Sequence, residues 1–163
     1  MKIIGIDPGS HRIGYSILEK GGKIGNQIDL IAYGTINIEP KTKSPESLLI
    51  LKKELQKIIQ EHKPSVASIE EVFFAKNLKT ASKVFESRGV ILLTFAESGI
   101  ELIQPTATQI KKGVTGSGTA NKNQVRYSIG LILGLKELKG YDDSWDAIAA
   151  AFVGLGMLKI YKK

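Results

Sequence analysis

Three strand-like runs follow one another in the first 38 residues before any helix pattern begins, and that order leaves few architectures open. Lys2 to Asp7, Arg12 to Glu19 and Ile28 to Ile38 are β-rich, with turn signals at Pro8-Gly9-Ser10 and Gly21-Gly22 between them. Strands joined so closely pair antiparallel. Ser44-Pro45-Glu46 then reads as a helix start, with Ser44 as N-cap and Pro45 at the first position. Leu48, Leu51, Leu55, Ile58 and Ile59 recur at helical spacing, and Pro64 stops the helix. Ser65 to Glu70 is a fourth strand, Leu78 to about Ser98 a helix, and Ile100 to Ile103 a fifth strand. Helices follow from Pro105-Thr106, over Asn121 to Gly134, and over Asp143 to Ile160. The order predicts one α/β domain over residues 1–163. Its mixed sheet has three antiparallel strands extended by parallel ones, with helices on both faces. The segment Gly89 to Ala96 is apolar on every side, which predicts burial all round, in the core or partly against a second subunit.

Charge narrows the function. Twenty-three basic residues oppose sixteen acidic ones, a net +7. Eight basic and three acidic residues lie between Val72 and Leu135, so the middle of the chain carries most of the excess. Such a balance suits an anionic partner such as nucleic acid, or a lysine-rich solvated surface. No apolar run approaches the ~18 residues of a membrane span. No signal-peptide pattern follows Lys2. The chain has no cysteine, which excludes thiolate metal sites and fits a cytoplasmic protein.

The five aspartates are Asp7, Asp29, Asp142, Asp143 and Asp146. Asp7 ends the apolar run Ile3-Ile4-Gly5-Ile6, and Glu70 ends the fourth strand after Ile69 in the same way. If these strands are parallel neighbours, both carboxylates emerge at one sheet edge, where ligands of open α/β sheets bind. Asp143 and Asp146 are i, i+3 and share one face of the last helix, although helix capping also explains acids there. Asp142 and Asp146 are i, i+4, so Asp142 could face the same way. Carboxylates drawn from three distant segments suit hard divalent cations. A pair of such ions can drive phosphodiester hydrolysis.

Three stretches occur in order along nearly the whole chain: Ile4-Gly5-Ile6-Asp7-Pro8-Gly9-Ser10 with Gly14-Tyr15, then Ile69 to Asn77, then Asp143-Ser144-Trp145-Asp146-Ala147. Together they resemble the motifs of RuvC-type Holliday-junction resolvases. The resemblance implies an RNase H-like fold and a homodimer. It implies a metal-dependent endodeoxyribonuclease that makes paired symmetric cuts in four-way junction DNA, in recombination and repair, leaving 5′-phosphate ends. It implies Asp7, Glu70, Asp143 and Asp146 as catalytic metal ligands, with Asp142 as a cap. Two Mg²⁺ ions per site are expected, with Mn²⁺ able to substitute. A branch-migration helicase is the expected partner, and no membrane is involved.

Several side chains are candidates for DNA contact. Phe73, beside Glu70, could stack on a junction base. Lys76, Lys79 and Lys83 run along a helix start and could follow a phosphate backbone. The resemblance places Lys111 and Lys122 near the scissile phosphate. Lys112 and Arg126 could add contacts, and Arg88 is a less telling candidate. Gly113 to Thr119 lacks the lysine of a phosphate-binding P-loop and reads as a loop that settles on DNA. Two other classes compete. An actin-like nucleotide-binding protein shares the Asp7-Pro8-Gly9-Ser10 loop but needs a second such domain. A junction-binding module without activity gains nothing from acids facing phosphates.

Overall fold

The apolar run that ends in Asp7 becomes the middle strand of a five-stranded sheet. The computed structural model describes residues 1–21, 27–71, 78–135 and 142–161, with backbone only at 78–80 and 159–161. β1 (Lys2–Asp7), β2 (Arg12–Lys20) and β3 (Ile28–Asn37) form the antiparallel half. β4 (Val66–Ile69) and β5 (Glu101–Ile103) extend it in parallel, in the order β3-β2-β1-β4-β5. The mixed sheet expected from the order of elements is the one observed.

Strand alternation sorts the side chains into two layers. Ile4, Ile6, Ile13 and Ile17 point to one face and meet α1 (Glu46–His62) and α2 (Leu78–Glu97) through Leu51, Leu55, Ile91 and Phe95. Ile3, Leu18, Val66 and Ile103 point to the other face and meet Ala151, Leu155 and Leu158 of α5 (Asp143–Tyr161). Outside α5 lie α3 (Ala107–Thr115) and α4 (Lys122–Leu133), which close a further cluster around Ile110, Val125, Ile129 and Ile148. Each fully buried Ile or Leu here stabilises the fold by about 1.5–3 kcal/mol.

The face under α5 is built for close approach. A Cβ on Gly5 would overlap the Ala147 carbonyl and Ala151. Two buried hydroxyls donate to helix carbonyls, Ser16 Oγ to Ala147 O at 3.0 Å and Ser68 Oγ to Ala150 O at 2.7 Å. Small residues on both sides let the helix backbone lie against the strands, so α5 is set by backbone geometry more than by bulky side chains. Reciprocal capping boxes start the two outer helices, Thr106 with Gln109 and Asn121 with Gln124.

One local expectation is corrected and another loses one of its two alternatives. The first helix begins at Glu46, with Pro45 as its N-cap residue and no side-chain cap. The Ser44 hydroxyl instead donates to Glu86 Oε2 on α2 at 2.7 Å. A carboxylate is a stronger acceptor partner than a local amide is a donor, so the tertiary contact takes the hydroxyl. The apolar half of α2 is not buried all round in the single chain. Ile91 and Phe95 face the sheet, whereas Gly89, Leu93 and Ala96 recur on the opposite side and Leu93 is 54% exposed.

Candidate active site

Register brings the first two acids together. β1 and β4 pair in parallel up to Ile6 and Ile69. One step further come Asp7 and Glu70, on the face of Gly5 and Ser68, which is the face α5 covers. On the other side of β1, Asp7 pairs with Gly14 of β2. A Cβ at Gly14 would overlap the Asp143 carbonyl, so the missing side chain lets the first turn of α5 settle beside Asp7. Asp146 follows one helical turn later on the same face. Asp7, Glu70 and Asp146 line one cleft of ≈ 400 Å³ with Lys111 and Lys122. Asp143 does not line the cleft itself. It stands at its edge by Gly14, and its charge still acts on Asp7.

The electrostatics are those of crowded acids. The Asp7 carboxyl is raised from 3.8 to about 7, first by burial, then by Asp146, Asp143 and Glu70, with Lys122 opposing. Glu70 is also raised, by burial and then Asp146, against Lys122 and Lys111. Lys122 Nζ donates to Asp146 Oδ2 at 2.8 Å, and this bond is the largest cause of its own upward shift. Asp143 Oδ2 is buried without a hydrogen-bond partner; the nearest cation is Arg12 Nε at 3.5 Å. Asp142, one residue earlier, turns outward. Its Oδ2 lies 2.6 Å from Arg126 Nη2, and that pairing holds its carboxyl low. Of the two adjacent acids, only Asp143 bears on Asp7.

The donors suit a hard cation in kind: all are carboxylate oxygens, one is buried without a hydrogen-bond partner, and one is shifted towards its protonated form by burial and by the neighbouring acids. A divalent ion would relieve both strains. As the side chains stand, no three acids among the described residues close round a single point, and Lys122 holds one Asp146 oxygen.

The DNA-contact candidates divide. Lys111 and Lys122 are in the acid cleft. Lys83 opens instead on a separate cleft beside Ser10 and His11. Phe73 and Lys76 lie outside the described residues, as does the side chain of Lys79. Thr115, Ser117 and Thr119 are linked by hydrogen bonds in a turn between α3 and α4. Arg12 was missed by sequence reasoning, and Arg88 was named there only as a less telling DNA-contact candidate. Arg12 has no motif to mark it. Arg88 is buried on α2, bonded to Gln104 and influenced by Glu71, next to Glu70. A lone arginine inside an apolar helix half, Ser87-Arg88-Gly89-Val90-Ile91, was the available signal.

Comparisons with known proteins agree with this geometry. A family model described as crossover junction endodeoxyribonuclease RuvC matches residues 3–154. The RuvC of Petrotoga mobilis is 42% identical over 152 residues, covering 93% of this chain and 91% of the relative. That of Pseudothermotoga lettingae is 37% identical over 163 residues, covering 100% of this chain and 99% of the relative. The solved Thermus thermophilus RuvC in complex with a Holliday junction substrate superposes with a TM-score of 0.89 at 25% identity, covering 99% of this chain and 96% of that one. A sheet edge that gathers acids from β1, β4 and α5, in a chain matched from end to end, leaves one assignment: the chain belongs to the RuvC family of crossover junction endodeoxyribonucleases.

Proposed function

We propose that this chain resolves four-way DNA junctions by hydrolysing phosphodiesters in two opposed strands, with Asp7, Glu70, Asp143 and Asp146 as the ligands of two Mg²⁺ ions. The observation that carries the reading is the convergence of acids from three remote segments beside two lysines in one cleft. The solved complex of the Thermus relative with a Holliday junction supports the substrate. Bound Mg²⁺, or Mn²⁺ in its place, would supply the positive charge for water activation and for the leaving oxygen. Such charge would favour the ionised form of Asp7, which burial first and then the neighbouring acids disfavour. Lys111 and Lys122 face the same cleft and offset charge developing on the scissile phosphate. Water adds to phosphorus as the bond to the 3′ oxygen breaks, leaving a 5′-phosphate and a 3′-hydroxyl.

Paired cuts need two sites, and a C₂ dimer matches the two-fold symmetry of the junction. The exposed Leu93 side of α2 supports a homodimer formed through that helix. Phe73, Lys76 and Lys79 belong to the same DNA-facing region by sequence, and a branch-migration helicase is the partner in the cell. No helix among the described residues is long and apolar enough to cross a membrane. A cytoplasmic location is proposed from the DNA substrate.

The test is purified protein with labelled four-way junction and matched linear duplex, with and without Mg²⁺. Symmetric nicks in the junction alone, dependent on the metal, are expected. Binding without cutting would favour the inactive binding module. Equal cutting of the duplex would favour an unselective nuclease.

A further inference from the structure

A second cleft opens at the same end of β1, on the side of the sheet that carries α1 and α2. It has a volume of ≈ 280 Å³ and lies among the β1–β2 turn, the β3–α1 connection and the first half of α2. Its lining is polar except for Leu48 and includes Ser10, His11, Thr42, Lys43, Ser82 and Lys83. Lys43 and Lys83 form no ion pair among the described residues. The one acid in the lining, Glu86, has an oxygen occupied by the Ser44 hydroxyl at 2.7 Å. Ser10 Oγ and His11 Nδ1, both in the lining, lie 3.0 Å apart. Two ammonium groups facing hydroxyls in a concave site form a receptor for a tetrahedral oxyanion.

Its position says which oxyanion. Ser10 is three residues beyond Asp7 in the same turn, so at most ~10 Å of chain separates the two. That is about the rise of three nucleotides in one strand. A strand with its scissile phosphate among the carboxylates would cross the sheet edge and bring a neighbouring phosphate over this turn. We infer that the cleft binds a backbone phosphodiester of the junction strand next to the cut, and so sets which phosphate reaches the acids. The inference rests on the endonuclease reading for its ligand.

The chain has two histidines, and only His11 lines this cleft, so His62 serves as an internal reference. The ring signals of both are followed by NMR in the full chain while inorganic phosphate, a short oligonucleotide or a four-way junction is added. In parallel, junction affinity is measured against salt for the wild type and for the double variant Lys43→Ala/Lys83→Ala. Both lysines are exposed, and an unchanged melting curve checks that the variant is folded. DNA is expected to move the His11 signal and not that of His62. The double variant is expected to lose that shift, and its slope of log affinity against log salt is expected to fall by about 0.9, the contribution of one phosphate. An unmoved His11 signal with DNA, or an unchanged slope, would overturn the inference. A response to inorganic phosphate alone would make this a free-anion site and overturn the DNA assignment. A His11 response to DNA in a wild type that cuts no junction would leave the cleft standing and reject the endonuclease reading.

Discussion

Replacing Asp7 by Asn removes one negative charge from a crowd of acids while keeping the side chain's shape. The metal-free fold resists ionising this group, whose value rises from 3.8 to about 7. At ~1.36 kcal/mol per pH unit, that interval amounts to about 4 kcal/mol of stability withheld at alkaline pH. Because the folded-state value lies above the unfolded one, the folded protein binds the proton more tightly. The contribution of this group to stability is therefore greatest below about pH 4 and is lost as pH rises through about 7. Asn carries no charge at any pH and escapes the loss. In EDTA at pH 8, Asp7→Asn should be more stable than the wild type by up to about 4 kcal/mol, or roughly 8–16 °C in Tm for a chain of this size. The gap should close towards pH 4. Mg²⁺ should then raise the wild-type Tm and leave the variant nearly unmoved, and the variant should cut no junctions while still binding them. Thermal melts across pH, with EDTA or Mg²⁺, give all of these values. A variant no more stable than the wild type at pH 8 in EDTA would refute the crowding on which the site is built.

Other substitutions divide the site further. Asp143→Asn should abolish cutting while Asp142→Asn leaves the rate nearly unchanged, because only Asp143 acts on Asp7; single-turnover cleavage separates them. Gly14→Ala drives a Cβ into the Asp143 carbonyl, so the start of α5 must move. It should cost about 1–3 kcal/mol in denaturant melts and lose cutting more than junction binding. Lys122→Met removes the cation that lowers both Asp7 and Glu70. Cutting should fall on the order of 10²-fold, and the acid limb of the pH–rate profile should move to higher pH.

The acids that end strands were readable because the signals are local. An apolar run, a carboxylate and a Pro-Gly turn lie within seven residues at Asp7, and Ile69-Glu70 repeats the pattern. The element order implied a mixed sheet, but parallel pairing of those two strands was only a condition until the register showed it. What was hidden depends on distant partners. Ser44 looked like a cap until Glu86, 42 residues away, took its hydroxyl. Arg126 on another helix holds Asp142 outward, and the bare Gly14 on another strand lets Asp143 settle beside Asp7. Lys83 shared helical spacing with Lys79, yet the fold turns it to a cleft separate from the acids. The outer side of α2 is apolar in sequence and exposed in the chain, which no periodicity distinguishes from core.

The account stands on acids from β1, β4 and α5 gripping divalent ions together. A crystal of the protein grown or soaked with Mn²⁺ and measured at the manganese absorption edge tests this most directly. Anomalous peaks are expected within about 2.0–2.4 Å of Asp7 oxygens and shared with Glu70, Asp143 or Asp146, with Lys122 released from Asp146. A cleft without such peaks at millimolar Mn²⁺, with Lys122 still bound to Asp146, would contradict it.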